Sequence, residues 1–344
     1  MREIKNILFI GSKQIGLNCL KEIHSAFIDL KITLLTFDDS KDLRTVYFEL
    51  QQYCADNNIS FHIAQNKLDS ELIIRSVNPD LCFVVGWYWL FNSSTIDSIP
   101  AGMIGIHNSL LPKYRGGSPL IWSIINGDKE IGFSICSITN GTDTGKIWAQ
   151  YTHHLKDNDT ISSVLKEFEY NAPLLLKSVL FNLINDIDIE VNVQDESKAT
   201  YCAQRLPIDG LIDWAKPAEY IFNFIRAQSS PYPGAYTYFN NKKLIIWSAD
   251  LYNINYLGTP GQVVKVLPEG LLVLCGDNHT LLIKRVNYNL IDIEANRLIK
   301  SIHTRFTSNT LYDLFDSKVL DSMIRDRIDE YEKKRVSPIS DNFI

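Results

Sequence analysis

Two side chains in this sequence have the chemistry needed for proton transfer near neutral pH: the imidazole of His107 and the carboxylate of Asp143. Each follows an apolar run that predicts a β-strand, residues 102–106 before His107 and residues 131–139 before Asp143. If the two strands are neighbours, their ends bring both groups to one edge of a sheet, where open α/β sheets bind ligands. Taken singly, each group has a structural alternative, because a His after a strand is often solvated or capped and Asp-Thr-Gly is a common turn.

The loop that begins at His107 carries a more specific signal. It resembles the signature loop of the formyltetrahydrofolate-dependent formyltransferases, in the sequence His107-Asn108-Ser109-Leu110-Leu111-Pro112-Lys113-Tyr114-Arg115-Gly116. We call residues 107–116 the signature loop. Asp143 falls where that family has its Asp. The resemblance implies N10-formyltetrahydrofolate as cofactor, with His107 donating to an oxyanion or passing a proton and Asp143 fixing the tautomer of the ring or accepting the proton of the amine through water.

The resemblance extends into the second half of the chain. Residues 211–214, 225–227 and 231–235 resemble the linker helix and opening turn of the smaller C-terminal β domain that some family members carry. It implies a Rossmann-like catalytic domain over residues 1–195 and a linker helix with a β-rich domain over residues 196–309. Residues 310–344, whose first part has helical periodicity, form a tail that is predicted to pack on a partner subunit of a homodimer.

The hydrophobic patterning agrees with this division. Strand and helix patterns alternate through the first half, which predicts an α/β fold with a mostly parallel sheet. The second half contains a hairpin pattern around Asn240-Asn241 and further β-runs, which predict a small OB-like barrel or antiparallel sheet. The polar residues 194–199 are predicted to be the linker.

Composition limits the classes of partner. The chain has 344 residues, 45% of them hydrophobic and 22% charged, and a formal net charge of −6. The 16 basic and 16 acidic residues from Leu206 onward balance, which argues against tRNA or other nucleic acid as partner. The sequence has no apolar run that predicts a membrane span, no signal-peptide pattern and no CxxC among its six cysteines. We therefore expect a cytoplasmic protein with free thiols and no metal site.

A run of aromatic residues after the fourth predicted strand is the candidate folate pocket. In the family this stretch lines the pteridine pocket together with the loop that ends at the catalytic Asp. Apolar side chains can cover the faces of such a flat ring while backbone groups bind its rim; alternatively, any single ring belongs to the core or an interface. The predicted cofactor-binding residues are Gly86, Trp87, Tyr88, Trp89, Leu90, Leu111, Thr139, Gly141 and Thr142.

One position departs from the family pattern. Most members carry an Asn two residues before the His, where its amide donates to the formyl oxygen, and this chain has Gly105. Removal of such a donor typically costs about 10² to 10³ in rate. Asn108, a backbone N–H or a water is expected to replace it, and we count Asn108 with His107 and Asp143 as a candidate catalytic residue. If nothing replaces it, the chain is slow or altered in activity.

The acceptor is the least constrained part of the sequence prediction. The turn after the first strand could hold a phosphate on backbone N–H groups and a Lys, and the signature loop adds further cations. Such a site suits a nucleotide-linked aminosugar used in surface polysaccharide, including lipopolysaccharide. The alternatives are a methionyl-tRNA formyltransferase and a hydrolytic or non-catalytic folate-binding module. The predicted substrate-binding residues are Ser12, Lys13, Gln14, Ser109, Lys113, Tyr114 and Arg115.

Overall fold

The computed structural model describes residues 3–187, 190–252 and 254–307. The predicted helical tail therefore lies outside the described residues. The N-terminal half is built on a seven-stranded sheet in the order β3-β2-β1-β4-β5-β7-β8. Its strands are β1 (Asn6–Gly11), β2 (Lys31–Phe37), β3 (Ser60–Ala64), β4 (Leu81–Val85), β5 (Met103–His107), β7 (Glu130–Ser137) and β8 (Ile147–His154), and the short β6 (Arg115–Gly116) lies in the signature loop.

Helices cover both faces of this sheet. They are α1 (Lys13–Ala26), α2 (Tyr47–Asp56), α3 (Lys67–Val77), α4 (Ser93–Ile96), α5 (Pro119–Ile125) and α6 (Ile161–Ile184). Alternate residues of β1 enter two separate cores: Ile7 and Phe9 lie with the residues of α1 and α6, and Leu8 and Ile10 lie with Ile74 of α3. Because both faces are buried, the strands read as continuous apolar runs, and the predicted α/β class is confirmed.

The pairing direction differs from the prediction at one point that matters for the site. Strands β1 to β5 are parallel, but β7 runs antiparallel to β5 and pairs Ser134 with His107 and Ser137 with Ile104. The end of β7 therefore lies three residues, or about 10 Å, from the end of β5 that carries His107. The two strand ends do not meet at one edge, so residues 138–146 must fold back to bring Asp143 to the imidazole.

The long helix α6 begins at Ile161, and the buried Asp159 lies just before its first turn. Thr160 is the N-cap, and Ser163 completes a capping box with it. Asp159 instead accepts hydrogen bonds from His153 Nε2 at 2.9 Å, the N–H of Lys156 at 2.9 Å and Ser163 Oγ at 2.8 Å. Burial of this carboxylate acts to raise its pKa, but the three hydrogen bonds outweigh burial and hold the pKa of Asp159 below its ordinary value.

This lowered pKa predicts an acid-dependent loss of stability. Asp159 stabilises the folded protein at pH values above 3.8, its ordinary pKa in the unfolded chain. This stabilisation is lost as pH falls through the lower pKa of the folded state. We expect Asp159→Asn to reduce the free energy of unfolding by about 1–3 kcal/mol at pH 7, with the difference from wild type shrinking toward pH 3. Urea titrations at both pH values measure this. Glu130→Gln is the control, because its pairing with His154 is exposed and contributes little to stability. If the free energies of unfolding of Asp159→Asn and wild type differ by the same amount at pH 7 and pH 3, the prediction is wrong.

The C-terminal half forms a six-stranded sheet in which all pairings are antiparallel. Its strands are β10 (Ala235–Phe239), β11 (Lys242–Tyr252), β12 (Val263–Leu267), β13 (Gly270–Leu274), β14 (Thr280–Tyr288) and β15 (Ile291–Glu294), with helices α7 (Ala218–Arg226) and α8 (Ala295–Leu298). Asn240 and Asn241, between β10 and β11, have φ values of 49° and 58°, the left-handed pair that a two-residue hairpin turn requires. The predicted hairpin and β-rich second domain are confirmed.

The predicted linker, residues 194–199, leads into a short strand that contacts the signature loop. Strand β9 (Tyr201–Cys202) pairs in parallel with β6, so this segment lies against the signature loop. Gly116 is needed there, since its φ is 101° and a Cβ would lie 2.5 Å from the carbonyl oxygen of Cys202. Gln194, at the start of the predicted linker, is only 7% exposed. Asp195 to Lys198 are exposed, so Gln194 is the polar residue of this segment whose hydrogen bonds are made inside the protein.

The described residues were also compared with the features expected of a membrane span, a metal site and a disulfide bond. Among the described residues there is no helix long and apolar enough to cross a membrane and no cluster of three or more metal-binding side chains. All six cysteines are free, and five of them are buried.

Candidate active site

His107 is held by main-chain contacts at the end of β5. Its Nε2–H donates to the carbonyl oxygen of Tyr114 at 2.8 Å, and its Nδ1 lies 3.5 Å from Asp143 Oδ2. The imidazole is 11% exposed and the Asp143 side chain 30%. The structure therefore brings the two predicted groups together, and it is Tyr114, rather than Asp143, that fixes the tautomer of the ring.

Asp143 reaches this position through a strained turn. Its φ of 51° lies in the left-handed region, which Asp tolerates better than most side chains. Its Oδ2 accepts a hydrogen bond from the N–H of Gly116 at 2.8 Å, which ties the carboxylate to the far end of the signature loop. The site is thus closed by two loops that hold each other.

The place of the missing family Asn is filled by an apolar side chain. Gly105 lies two residues before His107 in β5, so both face the same side of the sheet. A Cβ at Gly105 would lie 3.1 Å from Ile138 Cδ1 and 3.3 Å from Val84 O. Asn108 Oδ1, by contrast, is buried without a hydrogen-bond partner among the described residues. Asn108 directly follows His107 in the chain, and the atom of its amide that lacks a partner is the oxygen, which accepts hydrogen bonds.

The predicted folate pocket lies at the ends of β1, β2 and β4. Gly86 has a φ of 71° and approaches the turn after β1 so closely that a Cβ would lie 2.6 Å from Ser12 O. Trp87 packs against Phe37 and Trp89, with ring centroids 5.3 and 5.1 Å apart, and its Nε1 is buried without a partner among the described residues. The contacts with Phe37 and Trp89 explain why the ring of Trp87 is packed. They do not explain why its Nε1 is buried without a partner.

The other predicted cofactor residues fall into two groups: exposed residues at the edge of the predicted pocket, and one buried residue beneath the signature loop. Tyr88 and Leu90 are 56% and 76% exposed, and Thr139, Gly141 and Thr142 are exposed on the turn before Asp143. Leu111 is 4% exposed and packs in a small apolar cluster with Cys136 and Ile147, so it supports the signature loop from beneath.

Two predicted substrate-binding cations are occupied by protein partners. Lys13 Nζ lies 2.6 Å from Asp39 Oδ2 and 2.7 Å from Asp42 Oδ2, and the residue is 8% exposed. Arg115 is fully buried, and its hydrogen bonds to Glu196, outweighing burial, raise its pKa further above the ordinary value. All five N–H groups of Arg115 are used within the protein, and two of the three N–H groups of Lys13 are directed at carboxylates.

The remaining predicted substrate residues are placed as follows. Ser12 is buried and donates to the carbonyl of Gly86, and Ser109 is buried and donates to the carbonyl of Lys113 at 2.6 Å. Gln14 donates to Asn18 within α1 at 2.7 Å. Lys113 is exposed and lies 3.4 Å from Asp128, while Tyr114 is half-buried. Lys113 is thus the predicted substrate-binding cation whose side chain is exposed, in a long contact with Asp128.

Sequence reasoning missed the side chains that hold the two loops together. Gln194 binds Arg115 on one side and the main chain of residues 143 and 145 on the other, and Glu196 binds the outer edge of the guanidinium. No motif marks them, because each is defined by partners some 50 to 80 positions away. Burial of a polar residue inside a polar segment leaves no signal in the sequence.

Two family patterns match this chain and account for most of its length. The formyl transferase pattern matches residues 5–180 and the formyl transferase C-terminal domain pattern matches residues 207–295. The chain belongs to the formyl transferase family. This confirms the resemblance seen in the signature loop. Gln194, Glu196 and β9, which contact the signature loop, lie between the two matched ranges.

Known relatives agree with this assignment. The chain is 33% identical over 295 residues to the bifunctional polymyxin resistance protein ArnA of Wigglesworthia glossinidia brevipalpis. The aligned residues cover 84% of this chain and 43% of ArnA. It superposes on the N-formyltransferase of Helicobacter canadensis, solved with folinic acid and dTDP-3-aminofucose, with a TM-score of 0.62 at 20% identity over 81% of this chain and 98% of that one. HypX of Aquifex aeolicus with tetrahydrofolic acid gives a TM-score of 0.60 at 15% identity over 86% and 47%. The chain spans less than half the length of ArnA and of HypX.

Proposed function

We propose that this chain transfers the formyl group of N10-formyltetrahydrofolate to the amine of a nucleotide-linked aminosugar. The observation that carries the catalytic part is the His107–Asp143 pair, with Nδ1 and Oδ2 3.5 Å apart at the end of the signature loop. Catalytic hydrogen bonds are often long without substrate and shorten when it binds. Support for the acceptor comes from a structural relative that was solved with dTDP-3-aminofucose and from the balanced charge of the second half of the chain.

The residues at the pocket fit a folate. Two buried polar atoms, Trp87 Nε1 and Asn108 Oδ1, have no hydrogen-bond partner among the described residues, and an unpaired buried polar group is costly unless a ligand satisfies it. Trp87 with Phe37 and Trp89 forms an apolar wall, and the exposed turn with Thr139, Gly141 and Thr142 forms a polar rim. When bound, the folate supplies a formyl carbon that an amine can attack.

The protein's own groups handle the protons. Because Tyr114 keeps the proton of His107 on Nε2, Nδ1 is the ring atom that exchanges a proton with Asp143. Asp143 is the more exposed of the two and would receive the proton that the amine loses, directly or through water. The His107–Asp143 pair would in turn give a proton to the folate nitrogen, whose bond to the formyl carbon breaks as the new bond to the amine is made. In this proposal the Nδ2–H group of Asn108 is the donor that would replace the amide absent at Gly105 and stabilise negative charge on the formyl oxygen. No covalent intermediate with a Ser or Cys is required.

An acceptor assay tests this proposal. The chain is incubated with N10-formyltetrahydrofolate, and release of tetrahydrofolate is followed with dTDP-linked 3-amino and 4-amino sugars, with methionyl-tRNA, or without acceptor. We expect turnover only with an aminosugar nucleotide. Stimulation by methionyl-tRNA alone, or equal formate release without acceptor, would replace this proposal with one of the two alternatives.

The balanced charge of the second half gives a separate prediction. With 16 basic and 16 acidic residues from Leu206 onward, this part offers few net phosphate contacts. We expect no shift of tRNA in a gel assay at micromolar protein and physiological salt. A salt-sensitive complex at that concentration would contradict the prediction and favour a tRNA acceptor.

The wider setting follows from the same proposal. We propose that the chain acts in the cytoplasm, as a homodimer, in the synthesis of lipopolysaccharide or another surface polysaccharide. Size-exclusion chromatography with light scattering tests the dimer.

A further inference from the structure

Gln194 joins the two loops that form the active site. Its Nε2 donates to the carbonyl oxygens of Asp143 and Gly145, both at 2.7 Å. Its Oε1 accepts from Arg115 Nε at 3.0 Å and Arg115 Nη2 at 2.8 Å. The residue is 7% exposed, so these four bonds are made away from bulk water. Both ends of one amide are therefore satisfied, one by each loop.

Arg115 is fixed in turn by the segment that follows Gln194. Its Nη1 lies 2.8 Å from Glu196 Oε2 and 3.0 Å from Tyr201 Oη, and its Nη2 lies 2.7 Å from Glu196 Oε1. A two-pronged contact of this kind fixes the plane of the guanidinium. Arg115 thus orients the amide of Gln194, so that Nε2 faces the Asp143 turn and Oε1 faces the guanidinium.

The Asp143 turn requires support from outside itself. Asp143 has a φ of 51°, a conformation that costs energy in a residue with a side chain and persists where surrounding contacts enforce it. Gln194 binds the main chain on the carbonyl side of this residue, and the N–H of Gly116 binds its carboxylate. The carboxylate is thereby set 3.5 Å from the imidazole.

We propose that Gln194 is a positioning residue for the reaction, which holds Asp143 at its working distance from His107 and is itself oriented by Arg115. This inference rests on the proposed role of Asp143 in proton transfer. Gln194 touches neither substrate nor cofactor in this proposal. A displacement of about 1 Å at a catalytic group can cost about 10² in rate, so the contacts of Gln194 affect kcat rather than folate binding.

Gln194→Glu isolates the donor half of this amide. The substituted side chain keeps its size and its contact with Arg115, but presents an oxygen to two carbonyl oxygens in place of N–H groups. We expect kcat to fall by about 10- to 100-fold, with the Kd for tetrahydrofolate within about twofold of wild type and a changed pH profile of kcat. Gln51→Glu is the matched control, since it makes the same substitution at an exposed position of α2; its kcat should stay within about twofold.

The outcomes separate this inference from the proposed function. If Gln194→Glu retains wild-type kcat while Asp143→Asn is inactive, the positioning role is wrong and the proposed chemistry stands. If Asp143→Asn itself is active, the proposed chemistry is wrong. A fall in kcat that only matches a loss of tetrahydrofolate-binding protein would show a purely structural role and overturn the inference. If Gln194→Glu does not fold, Gln194→Met, which keeps the approximate volume without hydrogen bonds, is compared with wild type in the same way.

Discussion

Replacement of His107 by Ala or Asp143 by Asn is expected to lower kcat by at least about 10² while leaving folate affinity nearly unchanged. Both groups act on proton movement, and neither lines the aromatic wall of the pocket. Asn at position 143 can still accept the hydrogen bond from the N–H of Gly116, so the turn is retained and only the proton acceptor is lost. Steady-state release of tetrahydrofolate gives kcat, and binding of tetrahydrofolate to each variant gives the affinity.

Matched surface variants control for the substitutions themselves. His154 is a largely exposed histidine on β8, and Asp250 is a half-exposed aspartate that pairs with Lys284. His154→Ala and Asp250→Asn should keep wild-type kcat, because each removes the same chemical group far from the signature loop. Near-normal turnover in either site variant would refute the assigned mechanism.

Restoring the family amide by Gly105→Asn is expected to lower activity and stability. A Cβ at this position would lie 3.1 Å from Ile138 Cδ1 and 3.3 Å from Val84 O, and β5 is buried there. Overpacking of this kind typically costs about 1–3 kcal/mol, which a melting curve detects. The new amide also competes with Asn108 for the same oxygen, so kcat should fall rather than rise.

The double variant Gly105→Asn with Ile138→Ala tests the cause. Removal of the Ile138 side chain beyond Cβ makes room for the amide, so we expect it to recover part of the lost kcat. In the wild-type background Asn108→Ala should cost about 10² in kcat, and in the double variant it should cost less, because a second donor is then present. A folded Gly105→Asn single variant with clearly higher turnover would show that no substitute for the family amide exists here.

Local patterns in the sequence determined the parts of this protein that depend on neighbouring residues. Apolar runs predicted β5 up to His107 and the buried strands of the first sheet, because burial on both faces selects the same residue types along the strand. Asn240-Asn241 predicted the hairpin, because few residues adopt two successive left-handed conformations. The signature loop identified the family, and His107 with Asp143 predicted proton transfer, because an imidazole and a carboxylate exchange protons near neutral pH.

Only the tertiary structure decided which groups meet. The antiparallel pairing of β5 with β7 means that Asp143 reaches His107 through a folded-back loop, since strand direction depends on contacts across the sheet rather than on periodicity. Arg115 and Lys13 read as free cations in the sequence, and both are occupied by partners, Gln194 lying 79 positions beyond Arg115. Ile138 fills the space beside Gly105. Burial and hydrogen-bond partners at such separations are set by packing, which residue spacing does not encode.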